Sequence, residues 1–206
     1  MTDLRKRRRM ETTTLIQRAA LKLAREQGVD AVTVEAICAE AGVSVRTFFN
    51  YFAYREAAFV VAPPPFPADA VAAFLRGGRS LLDDLTELLA ARVEAVEGDR
   101  WIAETMRDIA GTHPKIATLQ ISQIHVGDAE LARLIAQRQG SAGDDRGCRV
   151  IAAAVLAALR VVLDRDLETP GGDIGQVIRQ SLPCLTLLTE PTVTRTAARR
   201  PKASVG

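Results

Sequence analysis

Apolar residues near the start of the chain recur at the spacing of an amphipathic helix. One face of the first such segment is apolar, through the positions Leu15, Ile16, Ala19, Ala20, Leu23 and Ala24. Residues three and four apart share a helix face, so the pattern predicts a helix from about Thr13 to Gln27. Thr12 or Thr13 can cap its start and Gly28 can end it, since hydroxyl oxygens accept from free N–H groups and glycine adopts left-handed angles.

Further helices are predicted along the rest of the chain. Capping residues and apolar spacing predict helices from Val34 to about Glu40, from Val45 through Asn50 and from Glu56 to about Ala62. Proline cannot continue a helix, so the proline-rich segment 63–67 predicts a boundary. Beyond it, helices are predicted at 68–76, 80–97, 100–111, 115–138, 145–167 and 173–189, the last kinked at Pro183. No stretch alternates long enough to require a strand, and the predicted fold class is all-α.

The second and third predicted helices have the features of a helix-turn-helix motif. Thr33 and Ser44 can cap the two helices, and Gly42 can take the positive φ of the tight turn between them. Phe48 and Phe52 lie four residues apart and would anchor the second of these helices inward. This accounts for the concentration of four of the chain's eight Phe and Tyr residues in positions 43–52.

The outer side of that helix carries side chains that can read DNA. Val45, Arg46, Thr47 and Asn50 are predicted to face outward. Arginine can donate to guanine or phosphate, asparagine can bind adenine, and threonine offers a methyl group and a hydroxyl. The major groove of a duplex is the natural receptor for such a helix.

The segment TVEAICAEAGVSVRTFFNYFAYREA resembles the N-terminal region of the TetR family of bacterial transcriptional regulators, over about residues 11–60. The matching positions are Thr33, Ile37, Ala41, Gly42, Val43, Ser44, Thr47, Tyr51, Phe52 and Glu56. Cys38 replaces the usual alanine, and Arg55 replaces a lysine and keeps its charge. Phe49 stands where a tyrosine commonly contacts phosphate, so that hydroxyl contact is lost.

The resemblance implies a three-helix helix-turn-helix domain at residues 1–62 and a larger helical ligand-binding and dimerisation domain at 63–189. Residues 190–206 are predicted to be a disordered basic tail. The implied assembly is a homodimer that pairs through its last two helices and binds double-stranded operator DNA. The nearly all-apolar helix at 145–167 independently supports burial on two faces.

Predicted DNA contacts combine the motif with the basic N-terminal run. Such a run favours phosphate or minor-groove contact, because each neutralised phosphate releases counterions. The predicted contact residues are Arg5, Lys6, Arg7, Arg8, Arg9, Thr33, Ser44, Val45, Arg46, Thr47, Phe49, Asn50, Tyr51 and Arg55.

A small apolar inducer is a further implied partner. The stretch from Trp101 to Gly140, followed by the stretch from Asp144 to Leu163, resembles the C-terminal domains of actinobacterial TetR-like regulators that take acyl-CoA-like ligands. The predicted lining of such a pocket is Trp101, Met106, Ile109, Leu119 and Ile124. The same residues also fit a plain apolar core, so both interpretations stay open.

Charge is unevenly distributed although the net charge is only +2. Lys and Arg number 10 against 7 Asp and Glu in residues 1–59, 13 against 17 in residues 60–189, and 4 against 1 in residues 190–206. Two positive ends around an acidic middle indicate a polyanionic partner.

Other classes of function receive little support from the sequence. No nucleophile, paired-carboxylate or metal-ligand pattern stands out, so we expect that the protein is not an enzyme and binds no cofactor or metal. The longest nearly apolar run, Ile151–Leu163, is too short to span a bilayer, and no apolar leader follows the N-terminal basic run. We therefore expect a bacterial cytoplasmic protein without a membrane partner. The predicted function is a ligand-released repressor; the alternative is a constitutive or architectural DNA-binding protein whose larger domain only dimerises.

Overall fold

A computed structural model describes residues 2–141, 145–168 and 173–188. These residues form nine α-helices and no strand, which confirms the all-α fold class. The helices are α1 Thr2–Gln27, α2 Val34–Ala41, α3 Val45–Tyr51, α4 Ala68–Arg76, α5 Leu81–Glu94, α6 Arg100–Thr112, α7 Pro114–Gln139, α8 Arg146–Glu168 and α9 Ile174–Ser181. The 3₁₀ segments are Val29–Ala31, Arg55–Phe59, Glu97–Asp99 and Leu182–Leu188.

The first helix is longer than the sequence pattern predicts, because the basic run is part of it. The hydroxyls of Thr12 and Thr13 donate to carbonyls one turn earlier, at 3.0 and 2.9 Å, so the prediction that either residue caps the helix is wrong. Arg7 and Glu11, four residues apart, form an ion pair of 3.1 Å on the helix surface. The basic run therefore lies on a helix continuous with the buried part of α1.

Two other predicted helices differ from the structure. The segment expected as a helix from Glu56 to about Ala62 is a 3₁₀ turn, Arg55–Phe59, ahead of the prolines. The last helix ends at Ser181 and continues as the 3₁₀ segment Leu182–Leu188 rather than kinking within one helix. Proline has no backbone N–H to donate, so Pro183 accounts for this change.

The buried apolar side chains form two separate cores. The first core joins α1, α2, α3 and the Arg55–Phe59 turn, and also takes in Ile109 of α6 and Ile116 of α7. The second core joins α4, α5, the C-terminal half of α7, α8 and α9. Helix α7 contributes side chains to both cores and therefore connects them directly.

The proline-rich segment is held against the second core. Phe66 is buried there, and the guanidinium carbon of Arg92 lies 4.0 Å from the centre of its ring. Arg92 Nε also donates to the carbonyl of Pro64 at 2.6 Å. The N-terminal part of the first core ends at Val60 and the second core begins at Phe66, near the predicted boundary, before α6 and α7 return Ile109 and Ile116 to the first core. The division at residues 62 and 63 stays a prediction, and the predicted tail at 190–206 lies outside the described residues.

Candidate nucleic-acid interface

Local hydrogen bonds fix the turn between α2 and α3. The Thr33 hydroxyl accepts from the N–H of Ala36 at 3.1 Å, and the Ser44 hydroxyl accepts from the N–H of Thr47 at 3.0 Å. Gly42 has φ 65° and ψ 32°, the left-handed region that a residue without Cβ adopts at little cost. Both predicted caps and the predicted glycine turn are therefore present in the structure.

The inner side of α3 is anchored by two aromatic rings. Phe48 is 0% exposed and Phe52 is 7% exposed, and their ring centres lie 5.5 Å apart. Since the helix has only seven residues, its own hydrogen bonds could not hold it in place. Packing of these rings into the first core fixes which face of α3 remains outside.

The outer side of α3 exposes most of the predicted DNA-reading side chains. Val45, Arg46, Phe49 and Asn50 are exposed. Thr47 is half-buried, and its hydroxyl lies 2.8 Å from that of Ser44. The face thus combines a cation, an amide and two large apolar groups.

The N-terminal part of α1 carries its arginines in solvent, and one of them contacts the end of α3. Arg5, Arg7, Arg8 and Arg9 are exposed, whereas the side chain of Lys6 lies outside the described residues. The guanidinium carbon of Arg9 is 5.2 Å from the centre of the Tyr51 ring, a cation–π contact. This contact brings the basic helix and the end of α3 together, which the sequence motif alone did not indicate.

Two predicted contact residues have structural roles within the protein. Arg55 Nη1 donates to the carbonyl of Val32 at 2.7 Å, and its guanidinium lies 6.0 Å from the Phe59 ring. Thr33 is occupied as the cap of α2. DNA contact by Arg55 and Thr33 stays a prediction, and their contacts here stabilise the motif.

Polar contacts join the motif to the turn between α6 and α7. His113 Nε2 lies 3.4 Å from a carboxylate oxygen of Asp30, and Lys115 Nζ donates to Glu56 at 3.0 Å. The hydrogen bond from Lys115 is the main reason that the pKa of Glu56 lies below its usual range. Sequence reasoning missed this junction, because its partners lie more than fifty positions apart and share no motif.

The predicted ligand residues lie mostly at the first core. Ile109 is buried in it, and Trp101, Met106 and Leu119 pack against it. The side chain of Ile124 lies outside the described residues. A groove of about 500 Å³ lies along α1, and of the predicted lining with described side chains only Trp101 borders it. The groove is lined by Leu15, Arg18, Ala19, Lys22, Arg25, Glu26, Glu40 and Trp101.

Membrane-spanning and metal-binding features were also sought in the described residues. No helix among them has both the length and the apolar character needed to cross a bilayer. Nor do they bring together three His, Cys, Asp or Glu side chains in a way that could hold a metal ion.

Family models match both the helix-turn-helix region and the C-terminal helices of this chain. Residues 16–59 match the family model of the bacterial regulatory proteins of the tetR family, and residues 82–187 match the MftR C-terminal domain. A comparison with curated proteins found no match.

Solved structures of low sequence identity share the fold. A protein from Rhodococcus sp. described as a TetR-family transcriptional regulator is 20% identical, with a TM-score of 0.57, covering 88% of this chain and all of that one. Thermus thermophilus FadR, a TetR-family repressor in complex with lauroyl-CoA, is 23% identical, with a TM-score of 0.53, covering 94% of this chain and 100% of that chain. A protein from Mesorhizobium loti described in the same family is 14% identical, with a TM-score of 0.53, covering 88% and 98%.

The two family matches fall on either side of the proline-rich segment 63–67. The C-terminal match alone covers slightly more than half of the sequence, and the N-terminal match coincides with the capped helix-turn-helix. The chain therefore belongs to the TetR family and is a transcriptional regulator with a helix-turn-helix DNA-binding domain.

Proposed function

We propose that this regulator is a homodimeric repressor of the bacterial cytoplasm that binds a two-fold symmetric operator and releases it when a small apolar ligand binds. The observation that carries the proposal is the sidedness of α3. Phe48 is fully buried while Arg46 and Asn50 project into solvent. A helix fixed in this way presents its hydrogen-bonding side chains to a major groove.

Each exposed polar group of α3 has a role in the proposed complex. Arg46 donates to guanine or to a backbone phosphate, and Asn50 pairs with the N6 and N7 edge of adenine. The arginines of the first turns of α1 neutralise phosphates, which contributes affinity without sequence preference. The contact between Arg9 and Tyr51 supports this division, since it places the basic helix at the end of α3.

Dimerisation is supported by apolar side chains that remain exposed on α8 and after α9. Val150 and Val161 are both more than 60% exposed on α8, and Leu187 and Leu188 are exposed in the following 3₁₀ segment. Large apolar surfaces on a single chain indicate an interface. A two-fold dimer places two copies of α3 one helical turn of DNA apart, at about 34–36 Å, on a palindromic site.

The proposed ligand is apolar and acyl-CoA-like, and its site lies between α6 and α7. Trp101, Met106, Ile109, Leu119 and Ile124 are the proposed lining. Thermus thermophilus FadR, similar in fold, is a repressor that was solved with lauroyl-CoA bound. Gln120 Nε2 of α7 donates to the carbonyl of Met106 at 3.1 Å, so a ligand that separates α6 from α7 changes contacts on both helices.

The connection from ligand to DNA runs through α7. Ile116 packs in the first core, whereas Leu131 and Ile135 pack in the second. The pairs His113–Asp30 and Lys115–Glu56 attach the start of α7 to the helix-turn-helix. A ligand that favours another position of α7 therefore changes the spacing of the two recognition helices, by no more than its differential affinity for the two states.

Selection of bound sequences from a random duplex pool at near-physiological salt tests the proposal. A two-fold symmetric site is expected for the purified protein. Arg46→Ala is expected to weaken binding to that site by about 1–3 kcal/mol, roughly 5- to 150-fold. The matched control is Arg133→Ala, an exposed arginine on α7 whose loss is expected to leave affinity unchanged.

Two further outcomes decide between the candidate functions. Release of the operator by lauroyl-CoA supports ligand-controlled repression. If the protein stays bound to the selected site in the presence of acyl-CoAs of every chain length tested, the constitutive or architectural DNA-binding function is favoured. Equal affinity of Arg46→Ala and wild type contradicts the proposed docking of α3.

A further inference from the structure

Two large apolar side chains lie exposed on the recognition helix. Val45 is 39% exposed and Phe49 is 53% exposed. They are four residues apart, so they are neighbours on one side of α3. The exposed phenyl ring and isopropyl group form a small apolar surface on the same helix as the exposed Arg46 and Asn50.

The ring of Phe49 is held in place by the core beneath it. Its centre lies 5.4 Å from that of Phe48 at an interplanar angle of 84°, an edge-to-face contact. Phe48 is itself fully buried and packs on Phe52. The exposed ring therefore rests on a fixed support, and less side-chain freedom is lost when it meets a partner.

The chemistry of the major groove limits what such side chains can recognise. Neither Val45 nor Phe49 can form a side-chain hydrogen bond, so neither can read the N7, O6, N4 or N6 groups of the bases. The apolar group that bases display in the major groove is the C5 methyl of thymine. Each apolar residue is followed directly by one that can form hydrogen bonds: Arg46 follows Val45, and Asn50 follows Phe49.

We propose that Val45 and Phe49 form a thymine-reading surface, with the Phe49 ring packed against a thymine C5 methyl in each operator half-site. This inference rests on the proposed function, since it requires α3 to enter the major groove. It assigns Phe49 to base recognition, which differs from the phosphate contact of the tyrosine common at this position in the family. Arg46 and Asn50 then specify the bases that flank this thymine.

Removal of single methyl groups from the operator tests the proposal directly. Each thymine of the selected site is replaced in turn by deoxyuridine, which pairs in the same way and lacks only the methyl group. At fixed salt, wild type is expected to bind roughly three- to fivefold more weakly at one thymine per half-site, the effect of one buried methyl. Phe49→Ala is expected to bind the thymine and uracil duplexes equally at that position.

Matched variants separate base reading from general packing. Phe49→Tyr keeps the ring and is expected to keep the preference for thymine. Val45→Ala is expected to reduce the preference at the same or the adjacent base pair, since the two side chains share a surface. Circular dichroism checks that each variant is folded. If Phe49→Ala does not fold, the comparison of Phe49→Tyr with Val45→Ala tests the inference instead.

Several results would overturn the inference while leaving the proposed function intact. These are a selected site without a thymine common to both half-sites, equal binding of uracil and thymine duplexes by wild type, and an unchanged thymine preference in both Phe49→Ala and Val45→Ala. A uniform loss of affinity in Phe49→Ala, without any thymine dependence, would place the ring against the sugar-phosphate backbone instead. The absence of any enriched sequence would refute the proposed function itself, and this inference with it.

Discussion

Replacement of Phe48 by alanine tests the anchoring of the recognition helix. The side chain is 0% exposed and has aromatic neighbours with ring centres at 5.4 and 5.5 Å. Truncation of a buried phenylalanine costs about 3–5 kcal/mol, from lost transfer free energy and from the cavity that remains. Domains of this size are stable by about 5–15 kcal/mol, so Phe48→Ala should remove a large share of the stability of the first core.

The assay can be made specific for the first core. Trp101 is the chain's single tryptophan, and it packs against that core. Its fluorescence during urea unfolding therefore reports the surroundings of the DNA-binding region. With a slope of about 2 kcal/mol per molar urea, the expected loss lowers the midpoint by roughly 1.5–2.5 M.

The neighbouring residue provides a control of the same chemical type. Phe49→Ala removes an identical ring one position further on, where the side chain is 53% exposed. Its midpoint should shift by less than about half as much, because roughly half of the side chain stays in water in the folded protein. Equal midpoints for Phe48→Ala and wild type, or a larger loss for Phe49→Ala, would mean that α3 is rotated from the orientation described.

Three other substitutions test separate contacts. Gly42→Ala should cost about 1 kcal/mol from backbone strain alone, seen as a lower melting temperature, because an added Cβ meets no atom within 4 Å while φ stays at 65°. Lys115→Met should make the free energy of unfolding less dependent on pH in the acid range. In wild type the lowered pKa of Glu56 stabilises the fold above about pH 4.3, the pKa of an unfolded glutamate, and this contribution is lost as the pH falls through the pKa of Glu56 in the folded protein. Urea midpoints at pH 7 and pH 3 measure this, and parallel profiles for variant and wild type would contradict it. Arg92→Met should lower stability by about 1–3 kcal/mol in urea unfolding, because the carbonyl of Pro64 loses its donor; an unchanged midpoint would show that the linker is held without it.

The helix-turn-helix could be predicted in detail because its determinants are local. Each cap lies three residues from the N–H it binds, and the glycine requirement arises within one turn. The inward position of Phe48 and Phe52 follows from helix periodicity, which relates residues four apart. All of these signals fall within twenty residues of sequence, where pattern reasoning is strongest.

The start of α1 was not predictable in the same way. Five consecutive basic residues repel one another, and the two threonines after them are good caps, so the sequence favours a helix that begins at Thr13. In the structure those threonines bond back into the preceding turn. The contact between Arg9 and Tyr51 spans more than forty positions, and no local pattern indicates such a pair.

The assignment of α6 to the first core is the structural fact with most consequence for regulation. A linear reading of the chain assigns everything after the proline-rich segment to a ligand-binding domain. In the structure, Ile109 and Ile116 lie in the same core as the helices that hold α3. The predicted ligand residues Trp101, Met106 and Leu119 pack against that core as well, while their role as the lining of a ligand pocket stays a prediction. A ligand that inserts among them would have to displace core contacts of the DNA-binding region itself, and under the proposed function its binding energy acts directly on the position of the recognition helix.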